Sequence, residues 1–484
     1  MALLVSAGLP ALFVLGLYHL VIYPLLKSPL SKIPAAHWST PFSPLWILLA
    51  KKQGYENQAL LKAHRAYGPV IRVAPNAVSV DGPDAIRTVY VGGFEKDRWY
   101  DVFDNYGVPC MFSAQGSRQH SARKRMLANV YSKSYIHSSE AAKAQACSIL
   151  YERLLPALDE SASPALEPNG LDVHSLFLAT ATDFISAYVF GLKGGTNFIQ
   201  DKGYRQHWLA LYNSRNEHHF WPQEMPKLTS WLKACGIWLY PSWVDTANAE
   251  LSDWNSKLCQ RASISTSHEP SEGAADEAIV WNSLASGIEK EAKVNGEASL
   301  LYSTLLQQRD LSVASELFDH VLAGQETTGT TLTYLTWHLS KRSALQEKLR
   351  QELLTLTPNM LWQTGEDYKL PDSKQLDSLP LLHSIIMETL RLHAPIPGSQ
   401  ARRTPFPGSV VGGFNIPGGV RISGLAYTLH RDESVFPDAL QWDHTRWLPS
   451  VATEEELRQR QRQFWAFSSG GRMCIGSNFA MHGM

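Results

Sequence analysis

One cysteine stands in a setting suited to chemistry. In Phe467-Ser468-Ser469-Gly470-Gly471-Arg472-Met473-Cys474-Ile475-Gly476, the glycines permit a tight turn and a close approach of backbone to a flat partner. A helix starting at Ile475-Gly476 would aim its N–H groups and dipole at the sulfur, favouring thiolate over thiol. A thiolate is both a nucleophile and a metal ligand, and the neighbouring Arg472 offers a bidentate fork to a carboxylate. An inert buried cysteine would not account for the phenylalanine, the glycines and the arginine together. The other cysteines, Cys110, Cys147, Cys235 and Cys259, are scattered. The total of five is odd and no C-x-x-C pair occurs, so neither a disulfide framework nor a structural zinc site is expected.

Two further polar groupings fall at helical spacing. Glu388 and Arg391 are three residues apart and share one helix face; alone, they read as a solvated pair of little energetic weight. Ala323-Gly324-Gln325-Glu326-Thr327-Thr328 lies inside the longest helical signal, about 311–340, where Leu317, Phe318, Val321, Leu322, Leu332, Leu335 and Leu339 recur mostly at steps of three and four. That apolar stripe is wide enough for a helix through the core. A glycine and a run of hydroxyls there lower helix propensity, the glycine by up to about 1 kcal/mol. Either something approaches the backbone closely, or polar groups bend a core helix; spacing alone leaves both open.

The elements that must position these residues are legible in outline. Residues 55–67 read as a helix, and 70–73 and 77–80 as a short hairpin across Pro75-Asn76. Helical patterns dominate 117–260, 263–276 reads as a polar loop, and short strands return over 398–424. The expected body is mostly α with a small β region, without internal repeats and without a visible boundary inside 55–484.

The segment around Cys474 resembles the haem-binding signature of the cytochrome P450 family, F-x-x-G-x-R-x-C-x-G, at every fixed position, with Phe467, Gly470, Arg472 and Gly476 around the cysteine. The resemblance covers about 55–484 and implies the P450 fold, heme b with Cys474 thiolate as iron ligand, and Arg472 on a haem propionate. A thiolate ligand donates electron density that favours O–O cleavage. Glu388-Thr389-Leu390-Arg391 looks like the family's E-x-x-R, and Trp442-Asp443-His444-Thr445-Arg446-Trp447 like the later segment whose arginine joins it, implying a buried triad of Glu388, Arg391 and Arg446. The 323–328 segment looks like (A/G)-G-x-(D/E)-T-(T/S). It would cross the distal haem face, with Gly324 leaving room for dioxygen and substrate, and Glu326 and Thr327 carrying protons as general acids. His120-Ser121-Ala122-Arg123-Lys124-Arg125 resembles the early propionate-binding helix, with His120 for the usual Trp and Lys124 for the usual Arg; a solvated basic face is the competing reading. Arg402 sits where the family often has another propionate arginine, though Arg403 could serve instead.

Leu3 to Leu26 form an almost unbroken apolar run, about 36 Å as a helix and long enough to cross a bilayer core. With Lys27 and Lys32 as the first charges after it, the expectation is a single-pass anchor over 1–27 with a cytosolic body, followed by a proline-containing connector over 28–54. A cleaved signal peptide would need a basic start and a shorter run. Lys plus Arg is 44 against 45 for Asp plus Glu, which argues against a nucleic-acid binder. No dinucleotide fingerprint is present, so the resemblance implies NADPH electrons through a separate P450 reductase, dioxygen, a lipophilic organic substrate and the endoplasmic reticulum membrane. The AGQETTG and NVYSKSY stretches look fungal, pointing to secondary metabolites. The chain ends ten residues after Cys474, where the family pattern continues. That reads as a truncated C-terminus and keeps two alternatives open: a haem-binding protein without activity, and a peroxide-using or isomerase variant.

Overall fold

The computed structural model describes residues 14–162, 170–268, 273–362 and 368–484. The chain forms two compact units, the first from Met1–Trp99, Ile396–Ala439 and Arg458–Met473, the second from Tyr100–Pro395, Leu440–Leu457 and Cys474–Met484. Each is assembled from three stretches of sequence, so no single boundary along the chain separates them.

The first unit carries the β structure. Its five-stranded sheet runs in the order β1-β2-β7-β4-β3, with β1 Val70–Ala74, β2 Ala77–Val80, β3 Glu95–Lys96, β4 Ser399–Arg403 and β7 Arg421–Leu425. A separate hairpin pairs β5 Gly408–Val411 with β6 Phe414–Pro417. β1 and β2 form the expected hairpin, Val70 opposite Val80, and β2 then runs parallel to β7. Helix α1, Glu56–Tyr67, ends at Gly68, whose φ of +99° suits a residue without Cβ. From α1, buried Leu60 and Ala63 pack with Ile47, Ile71, Val73 and Leu425. Inside this core His64 bonds the Gly68 carbonyl at 2.9 Å and Ser79 Oγ at 2.8 Å.

The expected anchor over 1–27 lies partly outside the described residues. Within them, Val14–Lys27 is an apolar helix, and its Val14, Leu15, Leu17, Leu25 and Leu26 side chains are exposed. The described helix that is long and apolar enough to cross a membrane is Val173–Phe190, and most of it is buried. The 28–54 segment, expected as a connector, is packed rather than free. Leu30, Ile33, Ile47 and Ala50 are buried, and Pro34 and Ala36 exchange backbone bonds with Arg72 of β1, Ala36 N–H to Arg72 O and Arg72 N–H to Pro34 O. Its apolar residues find a core, which overrides the extended bias of the prolines.

The second unit is helical. The site is framed by α2 Ser117–Leu127, α3 Val173–Phe190, α4 Lys202–Glu217, α5 Trp243–His268, α6 Arg309–Ser340, α7 Pro380–Leu392 and α8 Ser477–Gly483. Helix α3 is mostly apolar and buried along nearly its whole length, as a helix surrounded by others must be. With Tyr188 and Val189 it joins Leu317 and Val321 of α6 in the main core. The polar stretch expected as a loop over 263–276 is corrected in its first part, because α5 runs on to His268. Leu251, Leu258 and Ala262 are buried upstream, and Ser and Thr cost an established helix only a few tenths of a kcal/mol each.

Candidate functional site

Glu388 and Arg391 leave helix α7 on one face, as their spacing requires, and both are fully buried. Arg391 Nε donates to Glu388 Oε2 at 2.8 Å and a terminal nitrogen to Oε1 at 2.6 Å, a bidentate pair. Arg446 Nε lies 3.4 Å from Oε1. The solvated-pair reading therefore fails and the expected three residues come together. Sequence reasoning missed the rest of the cluster. Trp447 Nε1 donates to Glu388 Oε2 at 2.9 Å, the Asp443 N–H donates to Oε1 at 2.9 Å, and Arg391 reaches the Gln441 carbonyl at 3.0 Å. The doubled tryptophans of W-D-H-T-R-W were the available signal: Trp442 donates to Thr389 Oγ1 at 3.2 Å and stacks on His338.

Helix α6 solves the problem of its hydroxyls by turning them inward on itself. Thr327 Oγ1 donates to the Ala323 carbonyl at 2.7 Å, Thr331 to Thr327 at 2.8 Å and Thr333 to Gly329 at 2.8 Å. Its glycines serve packing. A Cβ on Gly324 would lie 2.7 Å from Ile185 Cγ1, and one on Gly329 2.8 Å from Leu178 Cδ2. The expectation that Gly324 leaves room for dioxygen is therefore corrected: the position of its missing side chain faces α3. Space exists on a different face. Ala323 and Glu326 are exposed and Thr327 half-buried in a helix whose Leu317, Phe318, Val321 and Gln325 are buried. Glu326 and Thr327 do not meet. Glu326 Oε2 accepts from the Tyr212 hydroxyl at 2.5 Å and Oε1 from Asn216 Nδ2 at 3.4 Å, both on α4 and both absent from the sequence reading.

Cys474 presents open surface although protein surrounds it closely. Burial raises the thiol pKa above the ordinary cysteine value, against the opposing pull of the Gly476 N–H and Lys124. The helix-start effect expected from Ile475-Gly476 thus has the right direction and is outweighed by desolvation. Helix α8 begins at Ser477, just past the expected Ile475-Gly476, with Gly476 as its N-cap. Lys124 is half-buried, its pKa lowered by burial and raised by the nearby cysteine. His120 and Arg123 are buried on the same helix, so α2 is a solvated basic face only at its outer residues such as Arg125. Arg123 meets a buried acid that the sequence reading did not single out. Glu316 lies 3.3 Å from Arg123 and accepts the Met111 N–H at 2.9 Å, and four residues on, His320 bonds the Tyr131 hydroxyl at 2.7 Å.

The remaining candidates, Gly476 apart, lie in the first unit. Gly470 has φ +73°, and a Cβ there would sit 2.3 Å from the Tyr90 carbonyl, so only glycine fits. Gly476, by contrast, has an ordinary φ of −82° and room for a Cβ. Arg472 donates to Glu95 Oε2 at 3.1 Å, and Phe467 is half-buried. Arg402 is buried, donates to the Ala401 carbonyl at 2.9 Å and lies over the Tyr90 ring. Arg403 is bound to Asp97 at 3.0 Å and to the Gly419 carbonyl at 2.7 Å.

The donor set fits a haem-thiolate centre. Cys474 is exposed as a residue and its thiol has Gly476 as a hydrogen-bond donor, a lysine stands beside it, and α6 exposes Ala323 and Glu326 beside Thr327 within an otherwise buried helix. The protein-family model described as Cytochrome P450 matches residues 39–484. Among curated relatives, the cytochrome P450 monooxygenase avaI of Aspergillus versicolor is 26% identical, covering 88% of this chain and 95% of its own. The cytochrome P450 monooxygenase hkm5 of Aspergillus hancockii is 27% identical over 95% of this chain and 83% of its own. FGM1 of Gibberella zeae, also a cytochrome P450 monooxygenase, is 24% identical over 99% and 88%.

Proposed function

This chain belongs to the cytochrome P450 family and is a fungal P450 monooxygenase, and we propose that it inserts one atom of dioxygen into a lipophilic secondary metabolite, with Cys474 as the haem iron ligand. The observation that carries this reading is Cys474, an exposed residue whose thiol is closely surrounded by protein and takes the Gly476 N–H. Bound haem with a thiolate ligand supplies the reductive activation of dioxygen. In the overall reaction two electrons and two protons accompany the dioxygen, one oxygen atom entering a C–H bond and the other leaving as water.

The protein's own groups divide the remaining work. Lys124 and the Gly476 N–H stabilise negative charge on the Cys474 sulfur. Arg472, Arg402, His120 and Lys124 are proposed to hold the carboxylates of the haem, and Phe467, Gly470 and Gly476 to shape the turn beside it. Thr327 would pass a proton to dioxygen once its hydroxyl leaves the Ala323 carbonyl, with Glu326 supplying the next proton. Electrons would come from NADPH through a separate membrane-bound reductase. The apolar Val14–Lys27 helix, with its exposed side chains, supports an anchor in the endoplasmic reticulum membrane with the body in the cytosol.

The test is turnover of the full chain in microsomes with NADPH, reductase and isotopically heavy dioxygen against a panel of lipophilic fungal metabolites. One heavy oxygen atom in the product is the expected result, whereas product formed only with added peroxide, and without dioxygen uptake, would replace this reading with the peroxide-using one. In Thr327→Ala, NADPH oxidation should continue while product falls and hydrogen peroxide rises. An unchanged product-to-NADPH ratio would remove Thr327 from proton delivery.

A further inference from the structure

Between the 195–201 arch, the start of α4 and the middle of α5, the second unit holds a cavity of about 440 Å³, inside the range of about 300–1,000 Å³ usual for small-molecule sites. None of the residues lining it is a candidate at Cys474 or on α6. The arch is fixed from behind. Asp183 of α3, with no exposed surface, accepts the Thr196 hydroxyl at 2.7 Å and the Phe198 and Ile199 N–H groups at 2.7 and 3.2 Å. A Cβ on Gly195 would lie 2.9 Å from the Ala187 nitrogen, so the arch sits directly on α3. A ligand would therefore meet a wall already in place, with little left to order on binding.

The apolar part of the wall is aromatic. The ring of buried Phe198 lies 5.8 Å from that of Tyr204 and 6.3 Å from that of Trp254, centroid to centroid. Trp208 backs both Phe198 and Trp254, at 5.5 and 5.2 Å, while Tyr204 is exposed. The polar part carries both signs in order. Glu250, Asp253, Lys257 and Arg261 line the cavity from α5 at steps of three and four, acids first and bases last, and so share one helix face. Asp201, just before α4, adds a further carboxylate. Tyr204 lies within electrostatic reach of Asp201 and Glu250 as well as of Lys257 and Arg261, which places its ring between the two ends. Internal pairing is incomplete. Glu250 Oε1 meets His207 at 2.6 Å, Asp253 Oδ2 meets Lys257 at 2.6 Å, and Asp201 Oδ1 accepts the Tyr204 N–H at 3.0 Å. Among the described residues, the second oxygen of each carboxylate and the Arg261 guanidinium make no hydrogen bond or ion pair. A lone cation would face Lys257 and Arg261, and a lone anion would face the carboxylates. A molecule carrying both charges suits both ends, since alkylated ammonium groups favour aromatic faces and guanidinium and ammonium groups favour phosphate.

We propose that this cavity binds a small dipolar molecule of the phosphocholine type, its alkylammonium against the Tyr204 and Trp254 rings and the Asp201, Glu250 and Asp253 carboxylates, its phosphate at Lys257 and Arg261. The site involves no haem and stands independently of the monooxygenase reading.

The test uses the full chain with phosphocholine, choline and inorganic phosphate as separate probes, read by calorimetry and by backbone amide hydrogen exchange. Phosphocholine should bind several-fold more tightly than either fragment and should slow exchange over 196–208 and 250–261 but not over 323–329. Tyr204→Ala and Arg261→Ala, both at exposed positions, should each weaken it several-fold with the melting temperature unchanged, whereas Tyr204→Phe should bind as the parent does. The same chemistry is carried by a free metabolite and by a phospholipid headgroup, and vesicles separate them. Protection by soluble phosphocholine supports a free ligand. Protection by phosphatidylcholine vesicles alone, absent with phosphatidylglycerol vesicles and lost in Tyr204→Ala, supports a headgroup. Choline binding as tightly as phosphocholine and unaffected by Arg261→Ala would overturn the dipolar ligand. Protection of 196–208 and 250–261 by neither soluble phosphocholine nor phosphatidylcholine vesicles would overturn the site.

Discussion

Two glutamates of the second unit occupy opposite environments. Glu388, on α7, has no exposed surface and receives Arg391 twice, Trp447 and the Asp443 N–H, with Arg446 beside them. Glu326, on α6, is exposed and receives one phenol and one distant amide from a single neighbouring helix. A carboxylate with nearly every lone pair occupied, in a place without water, can do little but hold its surroundings together, because moving it would abandon several charge-assisted bonds at once. A carboxylate with two removable partners and open surface can turn. The same side chain is thus structural in one place and available for chemistry in the other, and the count of donors distinguishes the two.

The comparison breaks most visibly if the closed cluster is opened. Glu388→Gln keeps the shape but leaves Arg391 and Arg446 without their counter-charge, and removing one member of a buried ion pair typically costs about 3–5 kcal/mol. The expected outcome is loss of most folded protein in expression and thermal-melting measurements, where Glu326→Gln should melt close to the parent. If the two variants melted alike, the division into closed and open glutamates would be wrong.

A smaller effect separates packing from chemistry on α6. In Gly324→Ala the new Cβ meets Ile185 at 2.7 Å, and overpacking of this kind costs about 1–3 kcal/mol, partly offset by about 1 kcal/mol of helix propensity. The loss should be recovered in the double variant with Ile185→Ala, as read by melting temperature. A stable Gly324→Ala with altered ligand spectra would restore the view that the glycine makes room for dioxygen.

Acid should distinguish the regions by a lesser margin. His338 stacks on Trp442, ring centroids 4.7 Å apart, and burial, aided by His393, Arg342 and Lys341, pushes its pKa down to about 3; burial also lowers that of His444. Both folded-state pKa values lie below that of an unfolded histidine, which titrates near 6.5. Their contribution is therefore intact above about pH 6.5 and is lost progressively as the pH falls towards the folded values, since the unfolded chain takes up protons first. Hydrogen exchange over 385–393 and 442–447 should rise between pH 7 and pH 5 more than over 323–329. Equal rises in both segments would show that these histidines do not set the acid response.

Much of this was legible beforehand because it depends on short-range spacing. The cysteine signature, the Glu388–Arg391 pair on one helix face, the long α6 helix and the β1–β2 hairpin all follow from residues a few positions apart. What was illegible depends on residues brought together from far along the chain. Tyr212 meets Glu326 across 114 positions and Trp447 meets Glu388 across 59, and no local pattern encodes either. The role the resemblance implied for Gly324 was not tested by spacing, which shows that something approaches a glycine closely but not which neighbour, and Ile185 on α3 is that neighbour. The α5 helix outran its polar sequence for a similar cause: buried Leu251 and Leu258 commit the helix before its serines and threonines can end it. The thiol of Cys474 shows the limit of local electrostatics, since the turn's N–H pulls the pKa down while the bulk of surrounding protein, invisible to spacing, pushes it up further.

The most direct measurement of the central claim is the absorption spectrum of the reduced full-length protein under carbon monoxide, compared with Cys474→Ala and with the control Cys259→Ala. The parent and Cys259→Ala should both give the red-shifted Soret band of a thiolate-ligated haem, and Cys474→Ala should lose it. Retention of that band in Cys474→Ala would contradict the assignment of Cys474 as the iron ligand and, with it, the proposed function.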